Sequence, residues 1–176
     1  YCCPKIKQTK ESYIQSTQIR HPIIERIQKN NIYIPNDCNL GKKQIGMLLY
    51  GINASGKSSY MKSIGLNLIL AQAGFFVAAE TFEFSPYTKI FTRISGQDNL
   101  FKGHSSFEVE MHELRNILER SDDKSLILGD ELCKGTETQS AVSIVSSGIV
   151  TLHNKRSQFI FATHLHKLNE IKYVTD

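Results

Sequence analysis

The sequence has no uninterrupted apolar run of the ~18 residues that a membrane helix needs, so no span of a bilayer is expected. Its four cysteines lie at positions 2, 3, 38 and 133. That is sparse for a disulfide scaffold, two of them are neighbours, and no C-x-x-C pair occurs. Structural zinc is therefore not expected, and a reduced, intracellular setting is. No lysine–arginine block is dense enough to act as a nucleic-acid track, and the net charge is only +4 over 176 residues. Repeats and low-complexity linkers are lacking as well. The opening Tyr1-Cys2-Cys3-Pro4-Lys5-Ile6-Lys7 has neither the apolar stretch of a signal peptide nor an initiator methionine, so the sequence reads as cut from something longer. The remaining composition, 40% hydrophobic and 22% charged, excludes disordered, collagen-like and coiled-coil classes. The length suits one α/β domain with a single core.

Residues 1–44 read as polar and irregular, broken by Pro4, Pro22 and Pro35. From Ile45 the pattern changes to short apolar runs alternating with amphipathic stretches. Ile45–Tyr50, Ser125–Gly129 and Gln158–Ala162 read as buried strands, and Thr88–Ile94 as a further one. Three helices are predicted between them. The first starts near Lys57, carries Met61, Ile64, Leu68, Ala71 and Phe75 at helical spacing, and stops at Gly74. The second starts at Ser105-Ser106-Phe107-Glu108, a capping-box form, with Phe107, Met111, Leu114 and Leu118 on its apolar stripe. The third starts near Thr136-Glu137-Thr138-Gln139, again a capping-box form, with Val142, Val145, Ile149 and Leu152 facing inward. Strands alternating with helices imply a mostly parallel central sheet covered by helices on both faces.

Gly51-Ile52-Asn53-Ala54-Ser55-Gly56-Lys57-Ser58 matches G-x-x-x-x-G-K-[ST] in full, between an apolar strand and an amphipathic helix. Glycine lets a backbone wrap a phosphate without a Cβ clash, and the N–H groups and the positive end of the helix then face the anion. Lys57 would reach the β- and γ-phosphates, and the Ser58 hydroxyl would hold Mg²⁺. Asp130-Glu131 follow the strand at Ser125. Two carboxylates there are costly unless they face a metal, a cation or water. Asp130 would order the Mg²⁺ shell, and Glu131 would accept a proton from the attacking water. Taken alone, the pair reads equally well as a solvated strand-end turn. His164, after the strand at Gln158, would hydrogen-bond a terminal phosphate oxygen or the water; without the other motifs it reads as a capping or surface histidine. His164-Leu165-His166 lacks a third metal ligand in view.

These residues resemble, in order and along nearly the whole chain, the ATPase domain of the MutS family of DNA mismatch-repair proteins. Tyr1-Cys2-Cys3-Pro4 is similar to the opening of that domain, and Arg20-His21-Pro22-Ile23-Ile24-Glu25 to its arginine–histidine–proline motif. Gly51–Ser59 resembles its phosphate loop, including Asn53, which generic phosphate loops do not share. Gly103–Met111 resembles its serine-phenylalanine-valine-glutamate-methionine motif. Asp130-Glu131 with Gly135-Thr136 resembles its Walker B segment, and Phe161-Ala162-Thr163-His164 its switch-histidine motif.

The resemblance implies a P-loop ATPase of the ABC type, with residues 1–44 as the adenine-side segment and 45–176 as the core. It implies that Tyr33 stacks on adenine with Ile34 beside it, and that Gly51, Asn53, Ala54, Ser55, Gly56, Lys57, Ser58 and Ser59 bind the nucleotide. It further implies that Asn53 positions the γ-phosphate or water, and that Ser105 reaches the γ-phosphate of a second subunit. From the residues alone, Tyr33 reads equally as a core aromatic and Ser105 as a simple N-cap. The implied activity is ATP hydrolysis with Mg²⁺ in a homo- or heterodimer. It would be coupled to mismatched-DNA binding and clamp formation through domains outside this chain, with downstream repair proteins as partners. Ile52 stands where the family has proline, Ala54 for methionine, Ser55 for glycine, Ser59 for threonine, Cys133-Lys134 for glycine-arginine and Glu137 for serine. None removes a phosphate or metal group, and the set looks like a divergent branch known from organelles and giant viruses. A transporter or chromosome-scaffold ATPase is the competing enzyme reading, but no leucine-serine-glycine-glycine motif is present. A non-hydrolysing nucleotide module is the other alternative, against which Lys57, Ser58, Asp130 and Glu131 argue.

Overall fold

The computed structural model describes residues 1–28, 32–94 and 106–171. In chain order the elements are β1 (Lys5–Ile6), β2 (Tyr13–Ile19), the short α1 (Ile24–Ile27), β3 (Asn36–Leu40), β4 (Gly46–Leu49), α2 (Lys57–Gln72) and β5 (Thr81–Ser85). β6 (Lys89–Arg93), α3 (Ser106–Arg120), β7 (Ser125–Asp130), α4 (Thr138–Asn154), β8 (Gln158–Ala162) and a closing 3₁₀ helix (His166–Glu170) follow.

The four strands expected from the apolar runs form one parallel sheet in the order β4-β8-β7-β6. Successive side chains leave opposite faces of a strand, and each face here has its own core. Leu126, Leu128 and Ile160 pack with α2 through Met61, Ile64, Leu68 and Ala71. Ile127, Phe159 and Phe161 pack on the other face with Ile117 of α3 and Val145, Ile149 and Leu152 of α4. Burial of each such side chain contributes about 1.5–3 kcal/mol. Helices therefore cover both faces, as the alternation of elements implies.

The segment read as irregular is not. β1, β2 and β3 join β5 in a second four-stranded sheet, order β1-β5-β2-β3, with β2 antiparallel to both of its neighbours. Its pattern is hidden by a bulge. Ile14 and Ile19 are an odd number of residues apart, so strict alternation would put them on opposite faces. The register shifts between Ser16 and Ile19, where Gln18 takes φ 51°, and both isoleucines reach the same core fully buried. Cys38, Leu40, Phe82 and Phe84 complete this layer, which packs around α2 from the side away from the parallel sheet.

Two helix details differ from expectation. α2 ends at Gln72, with Gly74 left-handed at φ 82°, so Phe75 lies beyond the helix and is 61% exposed. α4 starts at Thr138 with Glu137 as its N-cap and no side-chain cap, because residues 131–136 are consumed by the turn after β7. The Thr136–Gln139 capping box is therefore not formed. That of Ser105 and Glu108 depends on Ser105, which lies outside the described residues.

Candidate functional site: the loops after β4, β7 and β8

In a parallel sheet the loops at the carboxyl ends of the strands share one rim, and three of them carry the candidate residues. After β4, residues 50–56 form a loop that ends where α2 begins at Lys57. Gly56 is its pivot: at φ 94° it serves as N-cap of α2 in a left-handed conformation that glycine adopts without strain. Ala54 is left-handed too, at φ 61°. No side chain caps the first turn of α2, so its N–H groups face the loop unmet by a cap. The Lys57 ammonium curls back to donate to the carbonyls of Gly51 at 2.7 Å and Ile52 at 2.9 Å.

Residues 53–59 line a cavity of about 320 Å³, and the one further residue in its wall is Glu131. The structure thus brings Asn53, Ala54, Ser55, Gly56, Lys57, Ser58 and Ser59 to the same space as a carboxylate that starts more than seventy residues later. Asp130 is the last residue of β7 and pairs in register with Ala162. Beyond it the chain turns sharply: Glu131 and Cys133 take φ 51° and 60°. The Glu131 amide donates to the Ala162 carbonyl at 2.8 Å, which fixes the turn against β8.

The Glu131 carboxylate is held at both oxygens. His164 Nε2 lies 3.0 Å from Oε1, and Lys134 Nζ donates to Oε2 at 2.6 Å. Lys134 is the larger cause, with His164 adding to it, of a carboxyl held below its ordinary range against the opposing effect of partial burial. The same contact pushes the Lys134 ammonium up. His164 therefore stands beside Glu131, and the two also face a second hollow of about 150 Å³.

Tyr33, expected to stack on a base, lies beside Ser63 of α2. Tyr33 is half-buried, and burial raises its phenol while hydrogen bonding to Ser63 and to the His21 backbone pulls the other way. Ile34 is 78% exposed. Ser105 lies outside the described residues, as do Gly103 and His104.

Two contributors, Glu110 and His21, lie within motifs quoted from the sequence but are given no role there. Glu110 is 8% exposed and accepts the Cys133 amide at 2.8 Å, bracing the turn that carries Glu131. A glutamate at helical spacing with the buried Leu114 and Ile117 was the available signal. His21 is 6% exposed, and its Nδ1 accepts the amides of Ile23 and Ile24 at 3.3 Å each. Burial first, and Lys62 second, hold it below the usual histidine range, so this histidine acts as an acceptor that shapes the chain before α1.

Among the described residues no helix is long and apolar enough to cross a membrane, and Cys2, Cys3, Cys38 and Cys133 are free thiols.

Residues 47–176 match the family model described as MutS domain V. The chain is 43% identical over 164 residues to a mitochondrial DNA mismatch repair protein mutS homolog of Sarcophyton glaucum, covering 93% of this chain and 16% of the relative. A putative DNA mismatch repair protein mutS homolog of Acanthamoeba polyphaga mimivirus is 39% identical over 211 residues, covering 99% of this chain and 19% of its own length. The DNA mismatch repair protein MutS of Chlorobaculum tepidum is 41% identical over 174 residues, with 98% and 20% covered. The chain thus spans about a fifth of the length of these relatives. A matched stretch that contains all three site loops, in a sheet whose order brings them together, makes this chain a member of the MutS family through its domain V.

Proposed function

We propose that the chain binds ATP and hydrolyses it, as the nucleotide-driven part of a mismatch-repair protein. The observation that carries this reading is the cavity shared by residues 53–59 and Glu131, which opens onto the uncapped first turn of α2. An uncapped helix N-terminus beside a lysine is an anion site. A carboxylate across the same cavity has no use in holding an anion, but it does have one in taking a proton from water.

In this reading the loop amides and Lys57 hold the phosphates, and Asn53 orients the terminal one. The donor chemistry at the rim, the Ser58 hydroxyl with the Asp130 carboxylate, is the hard oxygen set that suits Mg²⁺. When bound, that ion would offset phosphate charge. Glu131 accepts the proton of the attacking water, and His164, 3.0 Å from its Oε1, keeps the carboxylate aimed and reads the γ-phosphate. Tyr33 and Ile34 receive the adenine on the flank of α2. Coupling to mismatched DNA, with Ser105 completing the site of a second subunit and repair proteins recruited downstream, belongs to the whole protein. The relatives' names, which are those of DNA mismatch repair proteins, support the mismatched-DNA part of this reading.

Nucleotide binding and phosphate release, measured separately, test the reading. Lys57→Ala should lose ATP binding. Glu131→Gln should keep ATP and slow its hydrolysis by about 100-fold or more, the scale of a lost general base. Wild-type turnover in Glu131→Gln removes Glu131 from the chemistry; failure of the unmodified protein to bind ATP removes the whole reading.

A further inference from the structure

Two aromatic rings outside the site just described tie its loops together. Tyr50 is the residue before Gly51, and His166 opens the 3₁₀ helix two residues after His164. Their rings stack with centroids 5.6 Å apart and planes 24° from parallel. The place matters. β4 and β8 are neighbours, Leu49 pairs with Ala162, and the Thr163 amide still donates to the Leu49 carbonyl at 3.0 Å. Past that bond the two chains separate, one into the phosphate loop and the other into the His164 turn. The ring stack is formed just beyond the separation. His166 is bound on its other side to the turn itself, its amide donating to the His164 carbonyl at 2.9 Å. The Tyr50 hydroxyl is buried with no hydrogen-bond partner, so a polar anchor does not set the ring's position; packing does.

We infer that the Tyr50–His166 stack holds the His164 turn in register with the phosphate loop, which makes His166 a positioning residue for hydrolysis. The inference rests on the ATPase reading above. A histidine that orients a carboxylate or reads a phosphate works only within a fraction of an ångström, and its own backbone here is a turn rather than a strand. His166 carries that turn to the base of the neighbouring loop.

The test is a double-mutant cycle in steady-state ATP hydrolysis, with His166→Ala, Tyr50→Leu and the pair, and with His166→Phe as the variant that keeps a flat ring. His166→Ala should lower kcat about tenfold with KM for ATP little changed, the scale expected of a displaced catalytic group. His166→Phe should restore most of kcat. The double variant should fall no further than either single variant, because both remove one contact. Unchanged kcat in His166→Ala, additive losses in the pair, or an equal loss in His166→Phe would each overturn the stack as the positioning device. Loss of activity in Lys57→Ala, measured alongside, shows that the ATPase reading stands when the stack inference alone fails. An unmodified protein without turnover overturns both.

Discussion

Replacing Asn67 by alanine should cost this protein about 4 kcal/mol of stability, counting the backbone groups it serves. Asn67 is fully buried in α2. Beside it, the Arg20 amide donates to the Ala78 carbonyl at 2.8 Å. The reciprocal pair, the Ala78 amide and the Arg20 carbonyl, is bridged by the asparagine instead. Oδ1 accepts from Ala78 at 2.6 Å, and Nδ2 donates to Arg20 at 2.9 Å and to Ser63 at 2.8 Å. The Ser63 carbonyl keeps a helical partner, so two groups are stranded by truncation. A buried group without a partner costs ~1–3 kcal/mol, giving a sum of about 2–6 kcal/mol. For a domain of this size that corresponds to a fall of about 10 °C in Tm. Urea denaturation followed by circular dichroism reads the loss directly, as a lower midpoint at unchanged slope. Asn67→Asp keeps the acceptor for Ala78 but turns an oxygen toward two carbonyls. Its carboxyl should titrate well above the ordinary range in the folded state, so this variant should weaken further as pH rises through the unfolded carboxylate pKa of about 3.9. A loss below about 1 kcal/mol in Asn67→Ala would refute the accounting, because it would mean that neither backbone group depends on the side chain.

Other outcomes follow from the same geometry. Lys155 donates to the carbonyls of Leu118 at 2.5 Å, Glu119 at 3.1 Å and Ser121 at 3.3 Å, so it neutralises the C-terminal end of α3. Lys155→Met should therefore lower stability by about 1–2 kcal/mol and speed hydrogen exchange in the last turn of that helix; unchanged exchange there would count against the cap. Burial pushes the Cys38 thiol up to about 12, and burial aided by Glu110 pushes Cys133 up to about 11. Maleimide labelling at neutral pH should accordingly modify the exposed Cys3 first and reach these two only on unfolding, and rapid labelling of Cys133 would contradict its placement.

The parallel sheet and the strand–loop–helix passage through Gly51–Ser58 are legible because each is written locally. A run such as Leu126-Ile127-Leu128 needs cover on both faces, and a G-x-x-x-x-G-K-[ST] string between strand and helix constrains its own backbone. The second sheet was not legible. Its strands are half polar, β5 pairs with residues about seventy positions away, and the bulge at Gln18 shifts the register that alternation relies on. At the site, Glu131 and His164 were placed on separate strand ends by their motifs. Their 3.0 Å contact depends on the β7–β8 pairing, and the hold of Lys134 on the same carboxylate depends on a left-handed turn at Glu131 and Cys133. Glu110 and Asn67 stayed hidden because a polar residue on a helix face discloses burial only when its backbone partners are known.

The wedging of α2 between two sheets makes the edge of the matched family model and the edge of what can fold different lines. The match to the family model begins at residue 47, yet α2 shares its core with Ile14, Ile19, Cys38 and Leu40. A gene trimmed to residue 47 onward would keep every group proposed to handle the phosphates, would lose Tyr33 and Ile34, and would lay bare a greasy flank along the very rod on which the phosphate-handling groups are mounted. The first forty residues are thus scaffolding for the chemistry, and an alignment that begins after them understates how much polypeptide the site requires.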